Sequence, residues 1–204
     1  MTRDAATTDW TAYYERGQGR TARDLVRHGA EARSTPGHAV DLGCGDGAEA
    51  AWLLTNGWRV TAIDRTPEAM PLVHRNATTA LGREPGPLLT TVVADLADAP
   101  IPTADLILAS ASLPFVPEHA FEGMWQRIRA ALADGGVLAV NLFGVNDSWA
   151  HPETGIANMT FHDRPGAEAL FDGLELVELT EVEYDGPSGV GPKHWHRFDV
   201  IARG

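Results

Sequence analysis

A chain of 204 residues is long enough to bury one α/β core and short for two. Its net charge of −12 argues against a protein that grips a phosphate backbone, and no apolar run is long enough to span a bilayer. Cys44 is the only cysteine, which excludes an intramolecular disulfide and suits a cytoplasmic protein.

The opening MTRDAATTDW lacks the apolar core of a signal peptide. Residues 8–29 read as one or two helices broken near Gly17 and Gly19, with Trp10, Tyr13 and Tyr14 unusually aromatic for a surface arm. Residues 1–35 are therefore read as a helical cap segment before a core over 36–204, the whole forming a single domain. Alanine, glycine and arginine are plentiful and Lys193 is the one lysine, a composition associated with GC-rich bacterial genomes.

The stretch VDLGCGDGAEAAW organises the rest. The apolar run HAVDL ends in alternating Gly43, Gly45 and Gly47, and a helix over Ala48–Asn56 follows, stopped by Gly57. Strand, tight turn and helix in that order place glycines where a ligand must approach the backbone. Nicotinamide, flavin and adenosyl cofactors all use such a turn. Two carboxylates discriminate among them. Asp41 stands directly before the glycines, where the anionic pyrophosphate of a dinucleotide would be repelled. S-adenosylmethionine carries an ammonium and a sulfonium and no phosphate, so an acid is tolerated there. Asp64, with Arg65 beside it, ends the next apolar run, WRVTAI, where a carboxylate can accept from ribose hydroxyls. Helix capping and turn formation are the plainer roles for both acids. Cys44 in the loop reads as a small residue that fits.

A helix from near Thr66 towards Leu81 follows, with Pro67 in its first turn, and then the breaker GREPGP. LLTTVVA is a third strand ending at Asp95-Leu96. ADLILA is a fourth, buried parallel strand, and the edge beyond it, Ala109 and Ser110 to Phe115, is where open α/β sheets hold ligands. Phe115 suits either an acceptor pocket or the core. Residues 117–132 form a helix whose Phe121, Trp125 and Ile128 stripe is core. The DGG turn leads into a fifth strand, GVLAVNLFG. A long loop carrying Trp149 then crosses the mouth of the site. A short helix over 163–172, a sixth strand LELVELTEVEYD, a DGPSGVGP turn and a final antiparallel strand KHWHRFDVIAR complete the chain. With a strand period of two, His194 and His196 face one side and Trp195 the other. His162, His194 and His196 admit three readings: acceptor-side base or donor, satisfied sheet histidines, or a metal site lacking an evident fourth ligand.

DLGCGDG, then AID and VVADL at the next two strand tips, resembles a class I S-adenosylmethionine-dependent methyltransferase over about residues 38 to 143. The resemblance implies a Rossmann-like α/β fold: a seven-stranded, mostly parallel sheet with an antiparallel last strand and helices on both faces. It implies S-adenosylmethionine on Asp41, Gly43, Gly45 and Asp64, with Asp95 and Leu96 flanking the adenine. The arm would close the site through Tyr13, Tyr14 and Arg20, Arg20 reaching the methionine carboxylate, unless the aromatics simply pack on the sheet. SLPF stands where amino- and nucleic-acid methyltransferases carry an Asn-Pro-Pro-Tyr motif, which disfavours a nucleobase acceptor. Size and pattern look closest to small-molecule enzymes of the tellurite-resistance type. The expectation is therefore methyl transfer to a small molecule by a monomer or homodimer, with no nucleic-acid, membrane or metal partner. On the acceptor side stand Phe115, Trp149 and His194, with His162 and His196 as bases. Two rivals stand beside it: a non-catalytic adenosyl-binding module, and a nicotinamide oxidoreductase, against which the absence of a Tyr-x-x-x-Lys pair also counts.

Overall fold

The computed structural model describes residues 3–4, 10, 14, 19–151, 153, 156–188 and 191–204. Nine strands appear in chain order: β1 Arg3–Asp4, β2 His38–Leu42, β3 Arg59–Asp64, β4 Leu89–Val93, β5 Ala104–Ala109, β6 Leu132–Phe143, β7 Ile156–Ala157, β8 Glu175–Ser188 and β9 Gly191–Arg203. Among the described residues the α-helices are α1 Asp24–Glu31, α2 Ala48–Thr55, α3 Ala69–Leu81, α4 Glu118–Ala131 and α5 Arg164–Ala169.

Seven strands form one sheet in the order β4-β3-β2-β5-β6-β9-β8. The ladders from β4 to β6 are parallel, and β9 runs antiparallel to both β6 and β8. This is the expected Rossmann-like sheet with its antiparallel last strand. The central strands are almost fully buried because both faces are covered, which is why HAVDL and ADLILA read as continuous apolar runs. Alternation then divides the side chains. Val40, Ile107, Leu138 and Phe198 point towards α4 and α5, around Phe121, Trp125, Ile128 and Phe171. Ala39, Leu106, Ala139 and Ile201 point towards α1, α2 and α3.

The chain leaves β2 for β3 and β4 on one side and returns to β5 on the other, so β2 and β5 are neighbours at the switch point. In open α/β sheets the crevice at the carboxyl ends of such strands is the ligand site. Two expected turns are shorter than anticipated. The β8–β9 ladder continues to Ser188↔Gly191, absorbing part of the DGPSGVGP segment, because antiparallel pairing satisfies the backbone as far as the chain can follow it. Likewise β6 begins at Leu132, pairing with Ala104 before a register shift, so the DGG segment lies within a bulged strand. Among the described residues no helix is long and apolar enough to cross a membrane.

Candidate active site

The glycine loop sits at the carboxyl end of β2 and turns in the left-handed region at Gly43 (φ 73°), Gly45 (φ 51°) and Gly47 (φ 79°). A Cβ on Gly43 would fall 2.3 Å from the Ser112 Cβ, and one on Gly47 would lie 2.7 Å from the Val73 backbone. The loop is thus closed in by β5's continuation and by α3. The amides of Gly43 and Cys44 both donate to the Ile63 carbonyl, at 2.8 and 3.1 Å, and Ser112 Oγ donates to the Leu42 carbonyl at 2.6 Å.

Asp64 ends β3 and carries the loop's geometry on its carboxylate. Oδ2 accepts from the Gly45 amide at 2.9 Å and Oδ1 from the Thr66 amide at 2.9 Å, while the Tyr14 hydroxyl donates to both oxygens at 3.2 and 3.3 Å. Tyr14 is buried, its ring lies over Gly45, and burial together with the Asp64 charge raises its phenol pKa. Tyr13 lies outside the described residues. The arm therefore reaches the loop through Tyr14. β1 pairs with β7 in the long loop after β6, so the arm also spans towards the other side of the mouth.

Asp41 is 2% exposed and its Oδ2 has no hydrogen-bond partner. Burial, reinforced by the neighbouring Glu49 charge, pushes its pKa well above the carboxylate range. The Cys44 thiol is also buried, and burial raises its pKa in turn. Asp46 and Glu49, two acids not singled out by sequence reasoning, are buried with it. Arg20 answers them. Its guanidinium donates to Glu49 Oε1 at 2.5 Å, to Glu49 Oε2, and to Asp46 Oδ1 at 2.9 Å. Burial works against both ions of that pair, but their mutual hydrogen bonds and charge prevail, raising Arg20 and lowering Glu49. Arg23 joins through Glu49 Oε1 at 3.2 Å and donates to Ser110 Oγ at 3.3 Å. Ala109 is fully buried at the end of β5. A helix begun by acid after a glycine turn was the available signal for Asp46 and Glu49.

At the next strand tip Asp95 is exposed, accepts from the Ala97 amide at 2.9 Å and stands 4.0 Å from Arg65. Leu96 packs partly into the core beside it, its carbonyl accepting from Arg127 at 3.2 Å.

On the far side of β5 an aromatic cluster forms. Phe115 meets Trp10 (4.7 Å between centroids), Trp149 (6.1 Å) and Phe143 (6.2 Å), and Trp195 meets Phe143 (5.7 Å) and Trp149 (5.8 Å). Lys193, its side chain 1% exposed, puts its ammonium 3.4 Å from the Trp149 centroid, 3.9 Å from Trp195 and 4.6 Å from Phe143. It pairs with the wholly buried Asp147 at 2.6 Å. Burial lowers the Lys193 pKa to about 8, against the pull of Asp147. Sequence reasoning passed over Lys193 and Asp147, which are distant from the glycine loop along the chain.

The histidines take other positions. His194 is on the β9 face opposite Lys193 and Trp195, between Asp185 (2.8 Å) and Glu183 (3.0 Å), which raise its pKa. His196, on that same opposite face, is buried against Phe198 and Gly144, pairs with Glu181 at 2.9 Å and accepts from the Asn146 amide at Nδ1. His162 packs its ring 4.9 Å from Phe121; its Nε2 is buried without a hydrogen-bond partner, and burial lowers its pKa. Alternation turns His194 away from the aromatic cluster that holds Trp195 and Lys193. Among the described residues no group of three or more His, Cys, Asp or Glu side chains is placed to hold a metal ion.

A glycine-turn loop at a sheet switch point, lined by acids, in a sheet completed by an antiparallel β9, defines a Rossmann-like α/β domain. A family profile described as a methyltransferase domain matches residues 40–138. The match supports a class I S-adenosylmethionine-dependent methyltransferase. Trans-aconitate 2-methyltransferase of Acidovorax ebreus (strain TPSY) is 38% identical over 139 residues, covering 66% of this chain and 50% of that protein. The enzyme of the same name from Mycobacterium sp. (strain KMS) is 36% identical over 134 residues, covering 62% and 45%. The chain thus spans about half the length of the curated relatives it matches. Among solved structures, TehB from Haemophilus influenzae superposes with a TM-score of 0.74 at 17% identity, over 94% of this chain and 65% of that one. Burkholderia thailandensis 1,6-didemethyltoxoflavin-N1-methyltransferase gives 0.69 at 21% identity, over 98% and 87%. At such identities these structures share the fold.

Proposed function

We propose that this chain transfers a methyl group from S-adenosylmethionine to a small-molecule acceptor. The observation that carries the reading is Asp41: a buried carboxylate with an unpartnered oxygen, directly beside a left-handed glycine loop. A cationic ligand relieves that carboxylate. A dinucleotide pyrophosphate would add negative charge to a cluster already holding Asp41, Asp46, Glu49 and Asp64, which makes a nicotinamide cofactor costly there.

In this reading Asp41 and the closely packed Gly43–Gly47 loop border the methionine portion, with Arg20 as the cation for its carboxylate. Asp64 takes the ribose hydroxyls under Tyr14. Asp95, Leu96 and Arg65 border the adenine, and Ala109 and Ser110 floor the crevice. When bound, S-adenosylmethionine supplies an electrophilic methyl carbon; the acceptor's lone pair forms the new bond to it, and the carbon–sulfur pair returns to sulfur as S-adenosylhomocysteine leaves. The protein's part is to align the reacting atoms and keep water out. An acceptor that must lose a proton would pass it to a neutral imidazole, the state that burial favours for His162, with His196 as the other candidate.

Residues 1–204 are read as a single domain in which residues 1–35 form the cap segment, working in the cytoplasm as a monomer or homodimer, without nucleic-acid or membrane partners. The likeness to TehB is one of fold, and the chain spans about half of the trans-aconitate 2-methyltransferases, so the acceptor, whether of the tellurite-resistance type or another small molecule, is argued from the site itself.

Calorimetric titration with S-adenosylmethionine, S-adenosylhomocysteine and NADH tests the reading. Binding of both adenosyl compounds with micromolar-order Kd (about −8 kcal/mol), weakened in Asp64→Ala and absent for NADH, is expected. Binding of NADH alone would make the loop a dinucleotide site.

A further inference from the structure

We infer that the rings of Trp10, Phe115, Trp149 and Trp195, backed by Phe143, take a flat, uncharged, π-rich acceptor in preference to a polycarboxylate, with the buried Lys193–Asp147 pair as the electrically neutral anchor of the rings. The inference rests on the methyl-transfer reading and deepens it.

Position comes first. The 3-10 turn Leu113–Phe115 follows β5 directly, with Ser112 packed against Gly43 at one end and Phe115 in the ring cluster at the other. Phe143 ends β6, and β9 enters antiparallel, so Lys193 and Trp195 lie at the same carboxyl edge. Trp10 sits one helical turn before Tyr14, whose amide donates to the Trp10 carbonyl at 3.0 Å. A single short stretch of arm therefore touches Asp64 through Tyr14 and Phe115 through Trp10. The rings adjoin the cofactor loop with no other element between.

Charge comes second. Lys193 is neutralised by Asp147, whose Oδ1 also accepts from the Trp149 amide at 3.0 Å and whose Oδ2 accepts from the His196 amide at 3.3 Å. Arg197, two strand positions further on the same face, is held by Asp199 at 2.7 Å. Among the described residues, Lys193 and Arg197, the cations beside the rings, each already face a carboxylate, while Arg20 belongs to the cofactor end. A ligand with several carboxylates would be stripped of water without gaining a counter-ion, at a cost of several kcal/mol per charge. A flat neutral ring system loses little water and gains dispersion and edge-to-face contacts with the partly exposed rings of Trp10, Phe115, Trp149 and Trp195. The ammonium, buried beneath three of these rings, holds them in place without presenting a free charge to the ligand.

The stretches matched in the trans-aconitate enzymes span 52–69% of this chain and half or less of those proteins, so their acceptor is not carried over to this chain.

The test is calorimetric titration of the full chain, saturated with S-adenosylhomocysteine, by 2-naphthol and separately by trans-aconitate. Saturable 1:1 binding of 2-naphthol, at least about tenfold tighter than trans-aconitate, is expected. Trp149→Ala should weaken 2-naphthol about fivefold or more and leave S-adenosylhomocysteine binding unchanged, whereas Trp149→Phe, which keeps a ring, should recover most of the affinity. Tighter binding of trans-aconitate, or no binding of 2-naphthol, overturns the inference and leaves methyl transfer standing. Failure of S-adenosylhomocysteine to bind removes both.

Discussion

The two ends of the ligand edge are built by opposite means. At the β2–β3 end, recognition groups lie close together along the chain and much of the work is done by backbone: glycine amides, two strand-tip carboxylates and a helix start within residues 41–64. At the β6–β9 end there is no backbone motif. Rings from residues 10, 115, 143, 149 and 195 meet around one buried ion pair, and only the sheet topology brings them together. A cofactor common to many enzymes tolerates a standard loop, whereas an acceptor peculiar to one enzyme is met by side chains gathered from afar.

If that contrast is right, the acceptor end should be the more fragile to a single side-chain change. Lys193→Met leaves Asp147 charged and buried without its counter-ion, and about 3–5 kcal/mol of stability should be lost. Urea denaturation measures this, and Lys193→Met combined with Asp147→Leu should regain most of it. The wild-type pH profile carries the same signature. The folded state releases the Lys193 proton near pH 8 and the unfolded chain near 10.5, so between them the unfolded state binds more protons. Stability contributed by this group therefore rises from about pH 8 to 10.5, and Lys193→Met should abolish that rise. An unchanged slope would show that Lys193 is not the group responsible.

The cofactor end should break through backbone instead. Gly47→Ala forces a Cβ to 2.7 Å from the Val73 backbone at φ 79°, and a loss of about 2–4 kcal/mol is expected from left-handed strain plus overpacking. Gly82, also at positive φ (66°) but with open space around it, should lose only the strain, about 1–2 kcal/mol, when changed to Ala. Equal losses at the two glycines would mean that the tight fit of the loop against α3 contributes nothing.

This division also explains what could be read in advance. HAVDL, the glycine turn and WRVTAID are local patterns, so the strands and the strand-tip positions of Asp41 and Asp64 were legible from periodicity and spacing, while the sheet around them was implied by the family resemblance. Asp147 and Lys193 were not. They are 46 positions apart, and their pairing depends on β9 inserting beside β6, which no local pattern encodes. His194 was visible as half of an H-x-H pair, but periodicity tells which residues share a face and not which face meets the ligand. Glu49 sat in plain sight on a short alanine-rich helix; its burial became evident only when Arg20 and Arg23 came over it.

A subtler effect separates the two ends by proton release. Asp41 is held above the usual carboxylate range by burial and by the Glu49 charge, with Arg20 opposing. A cationic group arriving beside it must lower that pKa, so cofactor binding should expel a proton over the pH range in which free-enzyme Asp41 titrates. The binding enthalpy should then vary with the ionisation enthalpy of the buffer, and the variation should vanish in Asp41→Asn. Acceptor binding to the rings over the neutral Lys193–Asp147 pair should show no such dependence at pH 7. A buffer-independent enthalpy for the cofactor at every pH would remove Asp41 from the ammonium site.

The smallest effect is expected at His194. Its imidazole bridges Asp185 and Glu183 on the outer face of the β8–β9 hairpin, where solvent screens the pair. Exposed ion pairs of this kind contribute little, so His194→Gln should leave the urea midpoint nearly unchanged and acceptor affinity within error. Trp195→Ala, one position away on the opposite face, removes a ring from Phe143, Trp149 and the Lys193 ammonium together, and should weaken 2-naphthol about fivefold or more. The two substitutions share a strand and differ only in which way the side chain points. A loss of acceptor affinity in His194→Gln matching that in Trp195→Ala would place the acceptor on the histidine face of β9 and reverse the assignment made here.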